Sequence, residues 1–209
     1  LALMLSMPPF RVIVPADELY QFDYINLALY RLPYPFLKGM DRSYPAGHAA
    51  GNDNFYLIPP GHHPWITSVD PEGRGLYQTS TARQRGRKLF VWGQSRGSKR
   101  WQDFLNSPGH AYVEIQAGLA RMQTMCLPLP GHTSFEWLEA YGLMEADPGI
   151  AHGANWEAAW KHVDARVAVQ APLVDLEARL AATTVMAQAT PLEVVQTGAG
   201  WGALEILRR

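Results

Sequence analysis

The sequence predicts a mainly β fold with a C-terminal helical segment. Three observations carry that prediction. Short β-branched and aromatic runs recur along the chain, each closed by proline or glycine. The 209 residues include 18 Gly and 16 Pro, the punctuation that many short strands and tight turns require. Past Asp147, Pro148 and Gly149 the apolar spacing changes from alternating to helical.

Each element follows from its residues. Phe10 to Val14 is a β-branched run stopped by Pro15. Residues 19–32 mix Tyr, Phe, Asn and Asp with weak alternation and predict one or two strands. Pro33, Pro35, Gly39, Pro45 and Gly47 then forbid long regular structure. Residues 33–53 therefore read as a long ordered loop, packed by Tyr34, Phe36 and Tyr44. Strands are expected over 54–58 and 65–69. The second of these turns through Asp70, Pro71, Glu72 and Gly73 into a strand over 75–81, completing a hairpin. A strand over 88–92 ends at Gly93, and a polar loop covers 94–99. Trp101, Phe104 and Leu105 have the spacing of a short helix. Strands are expected over 112–117, 122–129 and 135–141.

The C-terminal part reads differently. Trp156, Trp160, Val163 and Val167 make one helical stripe. Pro172 is placed to open a second helix carrying Leu173, Leu176 and Leu180, and a third starts at Trp201. The division is a β unit over 10–147 and a helical segment over 150–209.

Bulk composition excludes several classes. The chain is 47% hydrophobic and 18% charged with a formal net charge of −1, an ordinary globular composition. It has no basic run, so neither nucleic acid nor an anionic membrane is an expected partner. No apolar run is long enough to span a bilayer. Residues 1–9 are apolar but lack the basic flank and small-residue cleavage site of a signal peptide. Cys126 is the single cysteine, which fits a reducing, cytoplasmic setting and reads as a small buried apolar residue.

Two carboxylates stand out because each is embedded in an apolar strand. Glu114 shares its strand face with Tyr112 and Gln116. A ring, a carboxylate and an amide on one face suit a sugar, the ring stacking on C–H groups while the polar groups take hydroxyls. The same spacing also suits a solvated face of a half-buried strand. Glu139 shares a face with Trp137 and Tyr141 and has the same two readings. Glycosidases use two carboxylates about 5–10 Å apart, and a mutarotase needs one base and one acid.

Arg83, Arg85, Arg87 and Lys88 form the densest basic cluster. They read as a phosphate or uronate contact, or as a solvated turn paired with Glu114 or Asp70. His62 and His63 are adjacent on an extended chain, so their side chains diverge and make a poor metal pair without His48 or an aspartate. His110 and His132 flank strands and read as loop residues. Gly93 to Gly97 lacks the following Lys-Ser/Thr of a P-loop. No metal and no cofactor are expected.

Several segments together carry a resemblance. They are Val14–Asp17 (VPAD), Gln78–Thr81 (QTST), Gly86–Gly93 (GRKLFVWG), Trp101–Leu105 (WQDFL), Glu114–Ala120 (EIQAGLA) and Trp137–Gly142 (WLEAYG). They resemble a bacterial family with a DUF5107-type domain, a galactose-mutarotase-like β-supersandwich often followed by tetratricopeptide-type repeats. The resemblance implies that the chain is part of such a supersandwich, its second half. It implies a carbohydrate-active domain, sugar epimerase-like or glycoside-hydrolase-like, or else a non-catalytic carbohydrate-binding or protein-interaction module. On that reading Glu114 is the base or nucleophile and Glu139 a second carboxylate or hydroxyl ligand. Trp92, Tyr112 and Trp137 would be stacking surfaces, Gln116 a hydroxyl ligand, and Arg87 or Lys88 an ion-pair or substrate contact. The expected partners are carbohydrate and either the missing N-terminal half or further copies of the chain, because a half sandwich exposes apolar faces and strand edges.

Overall fold

The computed structural model describes residues 2–6, 10–107, 111–190, 192–193, 198 and 200–208, with the side chains of 2–6, 111, 112 and 201 excluded. Its strands are β1 (Ala2–Ser6), β2 (Arg11–Ile13), β3 (Glu18–Asp23), β4 (Ala28–Pro33), β5 (Phe36–Leu37), β6 (Met40–Asp41), β7 (Asn52–Tyr56), β8 (Trp65–Val69), β9 (Arg74–Ser80), β10 (Gly86–Val91), β11 (Ala111–Gly118) and β12 (Glu139–Glu145). The helices are α1 (Arg96–Leu105), α2 (Pro148–Ala151), α3 (Trp156–Gln170), α4 (Leu173–Ala187) and α5 (Gly200–Arg208). The molecule is mainly β with a C-terminal helical segment, as the sequence predicts.

The strands form an antiparallel six-stranded sheet in the order β1-β11-β10-β7-β3-β4 and an antiparallel four-stranded sheet in the order β12-β9-β8-β2. A two-stranded β5-β6 hairpin stands apart. Alternation along the large sheet, and burial of β8 over its whole length in the small one, explain the core. Leu19, Tyr56, Leu89, Val91, Val113 and Ile115 of the large sheet are buried, as are Val12, Trp65, Ile66, Val69 and Met144 of the small one. All belong to one hydrophobic cluster that continues into Trp156, Ala159, Val163 and Val167 of α3.

Polar bonds join the helices to the sheets. Arg11, fully buried, donates from Nη1 to the carbonyls of Ala151 at 2.8 Å and Gly153 at 2.9 Å, and pairs with Asp41 at 3.0 Å. Trp65 Nε1 donates to Asp164 of α3 at 2.6 Å. These bonds fix the helical segment against β2 and β8.

Four expectations are corrected. Residues 2–6 form β1, an edge strand paired with β11, in the stretch that shows only an apolar run in sequence. Residues 122–129 form no strand. The edge of β11 they would need is taken by β1, and Pro128 and Pro130 interrupt the ladder. The last strand is 139–145 instead of 135–141, set by pairing of Glu139 to Glu145 with Ser80 to Arg74. Helix α1 begins five residues earlier than Trp101, because the Ser95 side chain caps it by accepting from Ser98 N at 3.2 Å.

The long loop over 33–53 is ordered, as expected, and holds the β5-β6 hairpin and one 3₁₀ turn at Pro45–Gly47. It is anchored through polar groups. Arg42 donates to Gln21 and to Asn54, and His48 contacts the Arg42 carbonyl through Nε2 at 3.1 Å. Burial holds His48 at a pKa of about 4, so it is neutral.

Candidate functional site

The outward face of the six-stranded sheet carries the candidate site. Pairing registers put Phe90 of β10 opposite Glu114 of β11 and Asp53 of β7, and put Lys88 opposite Gln116 and Phe55. Outward positions therefore form two rows across three strands, one Asp53-Phe90-Glu114 and the other Phe55-Lys88-Gln116. Two strand spacings separate the Asp53 and Glu114 backbones, roughly 10 Å.

The polar groups are connected. Lys88 Nζ lies 2.6 Å from Asp53 Oδ1, as an ion pair without the alignment of a good hydrogen bond. The same ammonium donates to Gln123 Oε1 at 2.8 Å and stands 5.4 Å from the Phe55 ring. Both partners of the ion pair are buried. Tyr24 donates its hydroxyl to Asp53 Oδ2. Burial, then that bond, then the charges of Asp53 and Glu114 push the Tyr24 pKa far up, so the phenol stays protonated. Tyr24 thus lies within the fields of both carboxylates. Gln116 Nε2 donates to Glu114 Oε2 at 2.9 Å, and both residues are half-buried.

Beside these groups runs a chain of rings. Phe22 meets Tyr24 at 5.0 Å between centroids, Tyr24 meets Phe90 at 6.3 Å, and Phe90 meets Trp92 at 4.9 Å. Trp92 stacks on Trp101 of α1 at 6.0 Å, and Trp101 meets Phe104 at 5.9 Å. Tyr24 and Trp101 are about half exposed, at 48% and 54%. The result is an aromatic path ending in open rings next to a half-exposed carboxylate. That combination stacks on the C–H face of a ring and accepts its hydroxyls.

The other expected site residues fall elsewhere. Glu139 belongs to the four-stranded sheet, so it does not share a strand face with Glu114. Trp137 donates to it at 3.2 Å, Tyr141 at 2.7 Å, and Gln84 donates as well, which unites the Trp137-Glu139-Tyr141 group read from spacing. Burial opposes the Glu139 charge, but bonds from Tyr141, Gln84 and Trp137 and the nearby Arg87 outweigh it, leaving the pKa below the ordinary value. The Tyr112 side chain and His110 lie outside the described residues.

The basic cluster divides. Arg87, expected to touch substrate, turns inward and is fully buried. It donates to the carbonyls of Gln84 at 2.9 Å, Gly86 at 2.9 Å and Pro64 at 2.6 Å and to Ser80 Oγ at 2.6 Å. Burial lowers its pKa to about 9. Alternation explains the split, since neighbours on a strand face opposite ways. Arg85 donates to the carbonyls of Ile58, Pro59 and His62, and Arg83 stacks 3.9 Å over Phe135. None of the four pairs with Glu114 or Asp70; Arg74 pairs with Asp70 at 3.6 Å.

His63 contacts Thr79 Oγ1 at 2.7 Å while His62 lies 6.1 Å from the Trp160 ring, so the adjacent histidines do diverge. Among the described residues no group of three His, Cys, Asp or Glu side chains is placed to hold a metal ion. Cys126 is exposed, not buried as its residue type implies. Among the described residues no helix is long and apolar enough to cross a membrane. Sequence reading missed Asp53 and Tyr24. The polar run Asn52-Asp53-Asn54 inside an otherwise aromatic strand was the signal available for Asp53.

A family model described as "Domain of unknown function (DUF5107)" matches residues 31–136. No curated protein matches the chain. Among solved structures, a TPR-domain containing protein from Parabacteroides distasonis ATCC 8503 is similar, at 18% identity and a TM-score of 0.48. That likeness covers 68% of this chain and 23% of the other, so the chain spans under a quarter of its length.

Proposed function

The chain belongs to the DUF5107 family, and from that premise we propose that it is a carbohydrate-recognising domain that binds sugar on the outward face of its six-stranded sheet. The observation that carries the reading is the aromatic path from Tyr24 through Phe90 and Trp92 to Trp101, set beside Glu114, Gln116, Asp53 and Lys88. Rings supply the stacking surface. Glu114 and Gln116 supply acceptor and donor for hydroxyls, and the Lys88–Asp53 pair fixes the floor between them.

A catalytic version, epimerase-like or glycoside-hydrolase-like, is favoured by one specific arrangement. Glu114 and Asp53 flank Phe90 on the same face, and of the two only Asp53 is held by a cation among the described residues. Glu114 is then the candidate general base, with the neutral Tyr24 phenol bonded to Asp53 on the same face. Glu139, bonded by three side chains of its own sheet, has a supporting structural part.

The same proposal includes the larger architecture. The two sheets, with β1 added to the 10–147 unit, are read as the second half of a galactose-mutarotase-like supersandwich, completed by another half or another copy. Helices α3 and α4, of 15 residues each, have the size of a helical-repeat pair and are read as the start of such repeats. The single cysteine fits a cytoplasmic setting.

A glycan array and an anomer-exchange assay on the wild type and Glu114→Gln test the function. The binding reading expects the array signal to fall in the variant. The catalytic version expects anomer exchange to fall with it. Equal behaviour of both proteins removes Glu114 from the site.

A further inference from the structure

At the end of the outward face away from Trp92, β10 and β11 pair through Gly86 and Gly118, and a cavity of about 220 Å³ opens beside them. Phe55, Lys88 and Gln116 line it from the sheet, and residues 119–123 with Met125 line it from the segment that follows β11. That segment is held close: the Gly86 backbone lies against the Ala120 carbonyl with no room for a side chain.

Cations gather around this cavity. Lys88 donates to Gln123 and lies against Asp53 as an ion pair, which leaves N–H capacity for a ligand. Arg121 lines the cavity and is exposed. Arg85 precedes β10 and is close enough to Arg121 that its pKa is lowered, by burial first and by the Arg121 charge second. Among the described residues neither arginine is paired with a carboxylate. The negative groups nearby are accounted for. Asp53 is neutralised by Lys88, and the Glu114 carboxylate is held by Gln116, accepting from its Nε2 at 2.9 Å. Two arginines held near each other without a counter-ion create a positive potential that an anion would relieve.

We infer that this cavity takes the anionic group of an acidic sugar, a uronate carboxylate or a sugar phosphate, on Lys88 and Arg121. Gln116 and Gln123 then take ring hydroxyls, and Phe55 and Met122 cover the C–H face. The inference rests on the proposed sugar-binding reading and names the substrate class of that site.

Titration calorimetry of the whole chain with glucuronate, glucose 6-phosphate, inorganic phosphate and glucose, at low and at physiological salt, tests it. The expected result is that one acidic sugar binds at least roughly tenfold more tightly than glucose, with a gap that narrows as salt rises. Which acidic sugar does so distinguishes carboxylate from phosphate. Arg121→Gln closes the gap and leaves glucose affinity and the circular dichroism spectrum unchanged. Glucose binding as tightly as both acidic sugars overturns the inference and leaves the sugar-binding reading standing. Inorganic phosphate binding as tightly as glucose 6-phosphate, with glucuronate no better than glucose, overturns the sugar assignment of the cavity. Absence of binding by every sugar overturns both.

Discussion

Arg87 and Lys88 are adjacent, carry the same charge and do opposite things. Arg87 points into the space between the sheets, where each of its donors but one finds an oxygen. Replacing it by alanine strands those acceptors, and Arg87→Ala is expected to lose about 3 kcal/mol in urea unfolding. Glu114→Gln, at a half-exposed strand position, is expected to change stability by less than about 0.5 kcal/mol. A similar loss from both would contradict the division into an inward structural cation and an outward site residue. His48 gives a pH signature. Its folded pKa is lowered to about 4 from 6.5 by burial, so the unfolded chain binds the extra proton first. Its contribution is fully present above pH 6.5 and is lost as pH falls through 4. Stability measured across that window is expected to fall less steeply in His48→Gln than in the wild type. Glu139 acts in a lower window. Its depressed pKa adds stability above the ordinary value of 4.5 that is lost as pH falls below it, so Glu139→Gln flattens the acid limb of the same curve.

Elements were legible where their own residues decide them. The 65–81 hairpin is announced by the Asp70-to-Gly73 turn, and the structure closes it with Gly73 N to Asp70 O at 2.9 Å. The strands over Lys88 and Glu114 are fixed by alternation. Elements were missed where a distant partner decides them. Residues 122–129 are apolar enough to read as a strand, yet β1 holds the edge they would need, and nothing in either stretch encodes that competition. Asp53 escaped for the same reason, since its importance comes from Lys88 and Tyr24, each supplied by another strand or turn. Gly86 shows how an element depends on its neighbour. A Cβ there would collide with the Ala120 carbonyl, so Gly86→Ala is expected to cost about 1–3 kcal/mol and to disturb the segment over the cavity. Its effect would be read as a lowered urea midpoint, and an unchanged midpoint would show that the segment can move aside freely.

At the scale of the molecule, one hydrophobic cluster runs through both sheets and α3. Val163→Ala, fully buried on α3, is therefore expected to destabilise strand and helix signals together, by about 2 kcal/mol in a single transition. Separate transitions would mean that the helical segment unfolds on its own. The strand edges and the exposed Ile25, Leu27 and Leu29 near β4 accord with the proposed association. Sedimentation velocity is expected to show a species larger than 23.3 kDa, and a monodisperse monomer would remove that proposal. The central claim concerns the outward face of the six-stranded sheet. The most direct measurement is an amide chemical-shift titration of the whole chain with a panel of neutral and acidic sugars. The account predicts saturable shifts confined to Tyr24, Asp53, Lys88, Phe90, Trp92, Trp101, Glu114, Gln116, Arg121 and Gln123 and their neighbours. Shifts centred on Trp137, Glu139 and Tyr141, or none with any sugar, would contradict it.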